Sequence, residues 1–350
     1  METRPGPTLD PFTAADEAGL VYVNDAIPGM TRERDGKGWV FRGPDGALVS
    51  DPSERDRISA IGIPPAWTHV WISAIPNGHI QATGRDSKGR KQYRYHPLFR
   101  AVRDATKFHH MGTFGAALPV VRLRLERDLS LEGLPRDKVV AAAVRLMDES
   151  LIRIGNDEYE KQNQSYGITT FHHEHVQVDG ETMQFDFRAK SHKEQQVRLR
   201  DPLLARVVSA CEELPGQQLF QYVDDHGHVV HVNSADVNDY LRATSAVSLT
   251  AKDFRTWGGS VTAAEALIDL GPPRSATDAK RKIVTAIDAA AARLNNTRAV
   301  SRKSYVHPQV PESWIEGGLI DAFSRNEARG HLSRSEATVL EIVADTRAVR

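Results

Sequence analysis

Cysteine is nearly absent from this sequence: Cys211 stands alone among 350 residues. One thiol can form neither an internal disulfide nor a cysteine-based zinc site, and a reducing cytoplasm is the expected compartment. No apolar run is long enough to cross a bilayer, and Met1 to Pro11 lack the basic-then-apolar pattern of a signal peptide. A soluble intracellular protein with no membrane partner is therefore expected. The Gly-x-x-x-x-Gly-Lys phosphate loop is missing, which removes the commonest nucleotide-hydrolysing apparatus. Neither sign of charge dominates: the formal net charge is −1, which argues against an indiscriminate polyanion binder.

The charge is unevenly spread. Arg85, Lys88, Arg90, Lys91, Arg94, Arg100 and Arg103 lead a run of cations that ends at Arg127, with few acids between them. Such a local excess can bind phosphates on a neutral chain, although a solvated basic face has the same composition. The length suits two domains. Residues 1 to about 20 read as a flexible lead. Strand signals follow at Leu20-Val23, Gly38-Arg42, Thr68-Ser73, His79-Gly84 and Lys91-Tyr95, and a short helix at Ser53–Ile61. After His96-Pro97 the periodicity turns helical, over Leu98–His110, Thr113–Glu126 and Asp137–Ile154, the last stopped by Gly155. Strands return at Thr169-His172, Val176-Val178, Met183-Phe187 and Gln195-Arg200. Helices fill most of the remainder, with Thr250-x-x-Asp253 and Ser275-x-x-Asp278 as capping boxes. The expected fold class is α+β: a small, mostly antiparallel β domain over residues 1–100 and a larger, mainly helical domain with a three-stranded sheet over 101–350.

Tyr305 carries the most chemical information. It follows Arg302 and Lys303 and lies shortly after the polar turn Asn295-Asn296-Thr297. A phenol has a pKa of about 10 and is scarcely ionised at neutral pH, but cations ease its ionisation, and tyrosine can form covalent intermediates. Three more basic residues fall at element edges: Arg153 at the end of a helix, Lys190 at a hairpin tip and Arg255 in the first turn of a helix. Ile152 and Ile154 flank Arg153 and point to burial, where a guanidinium needs an anion.

The ordered set of Arg153 in Ile152-Arg153-Ile154-Gly155-Asn156, hairpin Lys190, Arg255 in Lys252-x-x-Arg255, Asn296 and Tyr305 resembles the type IB DNA topoisomerases, in particular their small bacterial and poxvirus branch. The resemblance extends to the hairpin Gln92-Tyr93-Arg94-Tyr95 and covers nearly the whole chain. It implies a clamp around duplex DNA, acting as a monomer near the nucleoid, that needs neither ATP nor a metal or other cofactor. It implies that Tyr305 attacks a phosphodiester and is joined to the 3′ phosphate, and that supercoils are released by strand rotation before religation. Arg153 and Arg255, with planar donor forks, suit the charge that builds on the non-bridging oxygens. Lys190 would protonate the departing 5′ oxygen. Gln92, Tyr93 and Tyr95 would read the groove, with Arg85, Lys88, Arg90 and Lys91 on phosphates and Arg302 and Lys303 facing the DNA backbone.

One position departs from the family pattern. Asn296 stands where many members carry histidine; its amide could donate to a phosphate oxygen but can carry neither proton nor charge. Lys193, three residues after Lys190, competes for the role of acid. A tyrosine recombinase shares the Arg/Lys/Arg/Tyr set but usually shows His-x-x-Arg where this chain has Lys252-x-x-Arg255. A passive nucleic-acid binder would have no use for the tyrosine. The clusters His172-His173-x-His175 and His226-x-His228-x-x-His231 could suggest zinc, but neither carries an accompanying carboxylate motif, and no metal is expected; His172 to His175 are expected to line the groove.

Overall fold

The computed structural model describes residues 11–344 except 37, 158–159, 161–163 and 246. The chain is α+β and divides into two compact units between Phe108 and His109. The first unit carries α1 (Pro11–Glu17), α2 (Pro52–Ala60) and a five-stranded sheet of β1 (Met30–Asp35), β2 (Gly38–Arg42), β3 (Thr68–Ile72), β4 (Ile80–Arg85) and β5 (Lys91–Tyr95). All its pairings are antiparallel, in the order β2-β1-β3-β4-β5, so β5 lies at an edge. Met30, Val70, Ile72 and Ala82 pack against Ile58 of α2. That helix starts where Asp51 accepts the Ser53 N–H at 3.1 Å, and Pro52 supplies its first turn.

Two expectations fail in this unit. Part of the supposed lead is helical, because Ala14 and Ala15 are fully buried beside Leu20 and Phe99; residues 1–10 lie outside those described. Leu20-Val23 is no strand. Val21 makes an isolated bridge to Gly78, and the Val23 N–H is taken by His79 Nδ1 at 3.1 Å.

The segment Pro97–Leu129 forms α3, one continuous helix where two were expected. Pro119 removes one backbone donor without ending it, and Phe114, Leu118, Val121 and Leu125 are fully buried along its inner face. The second unit continues with α4 (Arg136–Ser150), whose Val139 to Val144 are all buried. Here the sequence misleads at a position that matters. The helix does not reach Ile154: Leu151 adopts a left-handed φ of 56°, its N–H still bonded to Met147, and turns the chain out of the helix. Arg153 therefore lies in an extended segment beyond the helix and not in its last turn.

A three-stranded antiparallel sheet follows, β6 (Val176–Asp179), β7 (Thr182–Ala189) and β8 (Lys193–Arg200), in sequence order. Met183, Phe185, Phe187 and Ala189 alternate inward along β7, while Asp186 and Arg188 face out. Thr169-His172 is not a strand of this sheet; short 3₁₀ turns occupy Ile168–Thr170 and His173–His175. The remaining elements are α5 (Pro202–Glu212), a small hairpin of β9 (Gln221–Val223) and β10 (Val229–His231), α6 (Ser234–Thr244), α7 (Ala251–Leu270), α8 (Ala276–Arg293), α9 (Arg298–Ser304), α10 (Gln309–Ile315), α11 (Gly318–Arg325) and α12 (Arg334–Ala344). Among the described residues no helix is long and apolar enough to cross a membrane.

One buried ionic network ties four of these helices together. Arg122 of α3 bonds Asp148 of α4 at 2.7 Å and Glu336 of α12 at 2.7 Å, and Glu336 accepts from Trp257 Nε1 of α7 at 3.1 Å. A Cβ on Gly115 would come within 2.4 Å of the Trp257 ring, so glycine is what lets α3 approach α7 there. Burial opposes the charge on Arg122, but its two carboxylates outweigh that and raise its pKa above the ordinary value. Trp257 is thereby held to a fixed point, two residues after Arg255 on the same helix.

Candidate active site

Five separate segments of the second unit meet in one cleft: Arg153 to Asn156, Ser165 with Tyr166, the β7–β8 hairpin through Phe187, Ala189, Lys190 and Gln195, Ala251 with Lys252 and Arg255, and Tyr305. The cleft has a volume of about 270 Å³, and among the described residues that line it there is no aspartate or glutamate. A pocket with several cations and no carboxylate is shaped for an anion.

Each segment has its own anchor. The extended stretch after Leu151 is pinned through its backbone, with Ile168 N–H donating to Arg153 O at 3.0 Å and Thr169 Oγ1 to Ile154 O at 2.9 Å. A Cβ on Gly167 would meet the Arg153 carbonyl at 2.5 Å, so a larger residue would push Arg153 out of place. Arg255 is 4% exposed. Its Nη1 donates to the Leu151 carbonyl and its Nη2 to the Leu294 carbonyl at 2.9 Å, which fixes the guanidinium plane. The left-handed turn at Leu151, unforeseen in the sequence, thus presents one of the two acceptors that hold Arg255.

Electrostatically the pair is under tension. Burial pushes the Arg255 guanidinium down to about 10, and neighbouring Arg153 adds to the shift. Burial likewise lowers Arg153, with Tyr305 acting in the opposite direction. Both remain cations at neutral pH, close together and short of negative charge. Arg255 Cζ lies 5.2 Å from the centre of the Tyr305 ring, and its Nε is buried without a hydrogen-bond partner. Arg153 Nη2 donates to Asn296 Oδ1 at 2.8 Å, while Asn296 Nδ2 is buried and also unpartnered.

Tyr305 caps α9, a helix that starts where Thr297 Oγ1 accepts the Val300 N–H. Sequence reasoning missed what holds it. Ser260, fully buried on α7, accepts the His307 N–H at 2.9 Å and lies 3.1 Å from the Tyr305 carbonyl. A Cβ on Gly259 would come within 3.0 Å of that same carbonyl. The run Gly258-Gly259-Ser260 inside a helix was the available signal, since small residues there mark close backbone approach. Gln195, also missed, accepts from Asn295 Nδ2 at 3.3 Å and so links the lysine hairpin to the turn before α9.

Lys190 opens a 3₁₀ turn, Lys190–His192, between β7 and β8, and is exposed. It lines the cleft, whereas Lys193, the first residue of β8, does not. Arg302 and Lys303 are exposed on α9, away from the cleft lining. Of the histidines expected to line the groove, His175 is buried, whereas His172 and His173 are partly exposed. His175 is buried against Tyr166, with ring centres 4.3 Å apart, and His172 pairs with Glu160 at 2.8 Å. His226 and His228 lie in the turn between β9 and β10.

In the first unit, the β4–β5 hairpin carries the remaining candidates. Lys91 pairs with Asp25 at 2.6 Å and Arg90 with Asp86 at 2.7 Å; Gln92 Nε2 also bonds Asp86, at 3.0 Å, and Arg85 bonds the Gly89 carbonyl at 2.8 Å. Tyr93 and Tyr95 stack with ring centres 5.8 Å apart on one face of edge strand β5, and Gln92 belongs to the other. Tyr93 is 40% exposed, whereas Tyr95 leans on Phe99 in the small core. Lys88 is exposed at the hairpin turn.

Comparison with known proteins agrees across both units. Residues 96–316 match the family described as eukaryotic DNA topoisomerase I, catalytic core. Residues 38–86 match the family described as bacterial DNA topoisomerase IB, N-terminal domain. A DNA topoisomerase 1B of Acanthamoeba polyphaga mimivirus is 31% identical over 304 residues, covering 83% of this chain and 90% of the viral protein.

Proposed function

The chain belongs to the type IB DNA topoisomerases, and from that premise we propose that it relaxes supercoiled DNA through a covalent bond between Tyr305 and a 3′ phosphate. The observation that carries the mechanism is the convergence of Arg153, Lys190, Arg255 and Tyr305 on a cationic cleft with no carboxylate among its described lining residues.

In the proposed reaction a phosphodiester enters the cleft and its non-bridging oxygens accept from Arg153 and Arg255. The open N–H groups of two guanidiniums stabilise the charge that grows on those oxygens as the phosphorus becomes five-coordinate. The Tyr305 oxygen attacks phosphorus, its proton leaves to solvent, and the bond to the 5′ oxygen breaks. Lys190 gives a proton to that oxygen as it departs. Its place in the cleft lining supports it over Lys193 for this step. The phosphotyrosyl ester retains the energy of the broken backbone, so resealing is the same displacement in reverse. No step calls for ATP or a metal ion. Between the two steps the free 5′ end rotates, and the enzyme acts on DNA as a monomer in the cytoplasm.

Within the first unit, Tyr93 and Gln92 are proposed to enter the major groove from the β5 edge, which can present both faces of the strand at once. Arg85, Lys88, Arg90 and Lys91 take phosphates. Surface ion pairs such as Lys91–Asp25 are worth at most about 1 kcal/mol and can be exchanged for a phosphate contact.

The test is relaxation of a supercoiled plasmid in chelator and without ATP. The native enzyme is expected to relax it fully, and Tyr305→Phe to bind duplex without relaxing it. Activity that survives in Tyr305→Phe, or that depends on a divalent ion, would contradict the proposal.

A further inference from the structure

We propose that Gln195 is a positioning residue for the proton transfer, its amide tying the Lys190 hairpin to the turn that also holds Arg255. This rests on the reaction proposed above and adds a residue to the set that performs it.

Lys190 needs such a restraint. A lysine carries its charge on a flexible four-carbon stem, and an acid has to come within about 2.6–3.2 Å of the oxygen it protonates. Lys190 is exposed, and it lies beyond the last pair of the β7–β8 ladder, Ala189 with Lys193. Each strand of the hairpin is tied to the rest of the second unit. On β7 the Arg188 carbonyl accepts the Tyr166 N–H at 2.8 Å. On β8 Gln195, which pairs with Phe187, accepts from Asn295 Nδ2 at 3.3 Å. Two amides face each other there, so a donor meets an acceptor whichever way the pair is turned.

The other end of the tie is a fixed point of the site. Leu294 is buried, and its carbonyl accepts from Arg255 Nη2 at 2.9 Å. Asn295 follows it with a left-handed φ of 49°, its N–H bonded to Ala292 O at 3.1 Å. Glycine would satisfy that backbone; asparagine tolerates it and brings a side chain that reaches the hairpin. The residue beside an acceptor of Arg255 therefore holds the hairpin that carries the acid, and Gln195 itself lines the cleft. The proton donor is thereby set in register with the guanidinium that receives the phosphate.

Single-turnover cleavage of two duplexes tests this. One is ordinary, and the other has sulfur in place of the bridging 5′ oxygen, so that its leaving group departs as a thiolate without a proton. Gln195→Ala and Asn295→Gly cut the tie from either side, and glycine keeps the left-handed turn. Each is expected to slow cleavage of the ordinary duplex about two- to tenfold, the range that one neutral hydrogen bond spans. The double variant should be no slower than the slower single one, because both lose the same contact. On the sulfur duplex all three should cleave within about 1.5-fold of the native rate, because no proton is required there. A distorted cleft, or a direct contact of Gln195 with the phosphate, would slow both duplexes alike. Equal loss on the two duplexes, single effects that multiply, or a loss below about twofold on the ordinary duplex overturns the inference. If sulfur does not rescue Lys190→Ala, the reaction reading fails instead; if it rescues Lys190→Ala and not Gln195→Ala, only the role of Gln195 fails.

Discussion

Arg255→Lys is the substitution whose outcome follows most directly from the geometry. Arg255 spends one N–H of each terminal nitrogen on the Leu151 and Leu294 carbonyls, which sets the plane in which its remaining donors face the cleft. Lysine keeps the charge but offers three hydrogens on one atom. An ammonium close enough to satisfy either carbonyl cannot also reach a phosphate in the cleft. Loss of one preorganised oxyanion donor costs about 10²–10³ in rate, or about 3–4 kcal/mol. The predicted result is a single-turnover cleavage rate lower by about that factor, with duplex affinity changed by no more than about threefold, since the interaction belongs to the transition state. A carbonyl left without its donor costs about 1–3 kcal/mol, so the melting temperature should fall as well. A rate loss below about tenfold, or one matched by an equal loss of DNA binding, would refute a transition-state role for the fixed guanidinium.

Four further outcomes are expected. Arg122→Met should destabilise the second unit by about 3–5 kcal/mol by leaving Asp148 and Glu336 unpaired in the core, a fall of several degrees or more in thermal melting; an unchanged melting temperature would contradict it. The same variant should lose part of its acid sensitivity. Burial alone would raise the Glu336 carboxyl, but Arg122 outweighs it and holds it below the usual range, so its contribution is present above the ordinary carboxylate pKa and is lost as pH falls through the lower folded value. Lys190→Ala should slow cleavage of ordinary DNA by about 10²-fold or more, and a 5′-thiolate leaving group, which needs no proton, should restore it; failure of the rescue would move the acid elsewhere. Lys88→Ala should weaken duplex binding on all sequences alike and reduce the slope of log affinity against log salt by about 1, and an unchanged slope would remove Lys88 from the phosphate contacts.

The chemistry of the site was more legible than the path of the chain through it. Arg153, Lys190, Arg255, Asn296 and Tyr305 stood out because their order and local context resemble the type IB DNA topoisomerases, and helix starts at Thr250 and Ser275 announced themselves through capping side chains. The turn at Leu151 gave no such signal. A left-handed position usually calls for glycine, and the apolar Ile152 and Ile154 continued the helical pattern past the true end. Thr169-His172 looked extended from its β-branched and aromatic residues, yet its backbone closes 3₁₀ turns that hold the Arg153 segment. Long-range clamps such as Ser260 on the backbone around Tyr305 arise from tertiary packing, and only the neighbouring glycines hinted at them.

The central claim is that Tyr305 joins DNA at a 3′ phosphate. Duplex labelled on the cleaved strand, trapped with the native enzyme, digested and sequenced as the DNA-linked peptide, tests it directly. One modified residue, Tyr305, carrying the 3′-phosphoryl end with a free 5′ hydroxyl on the other strand terminus, is the predicted result. Linkage to another residue, linkage to a 5′ phosphate, or cleavage without any adduct would contradict the account.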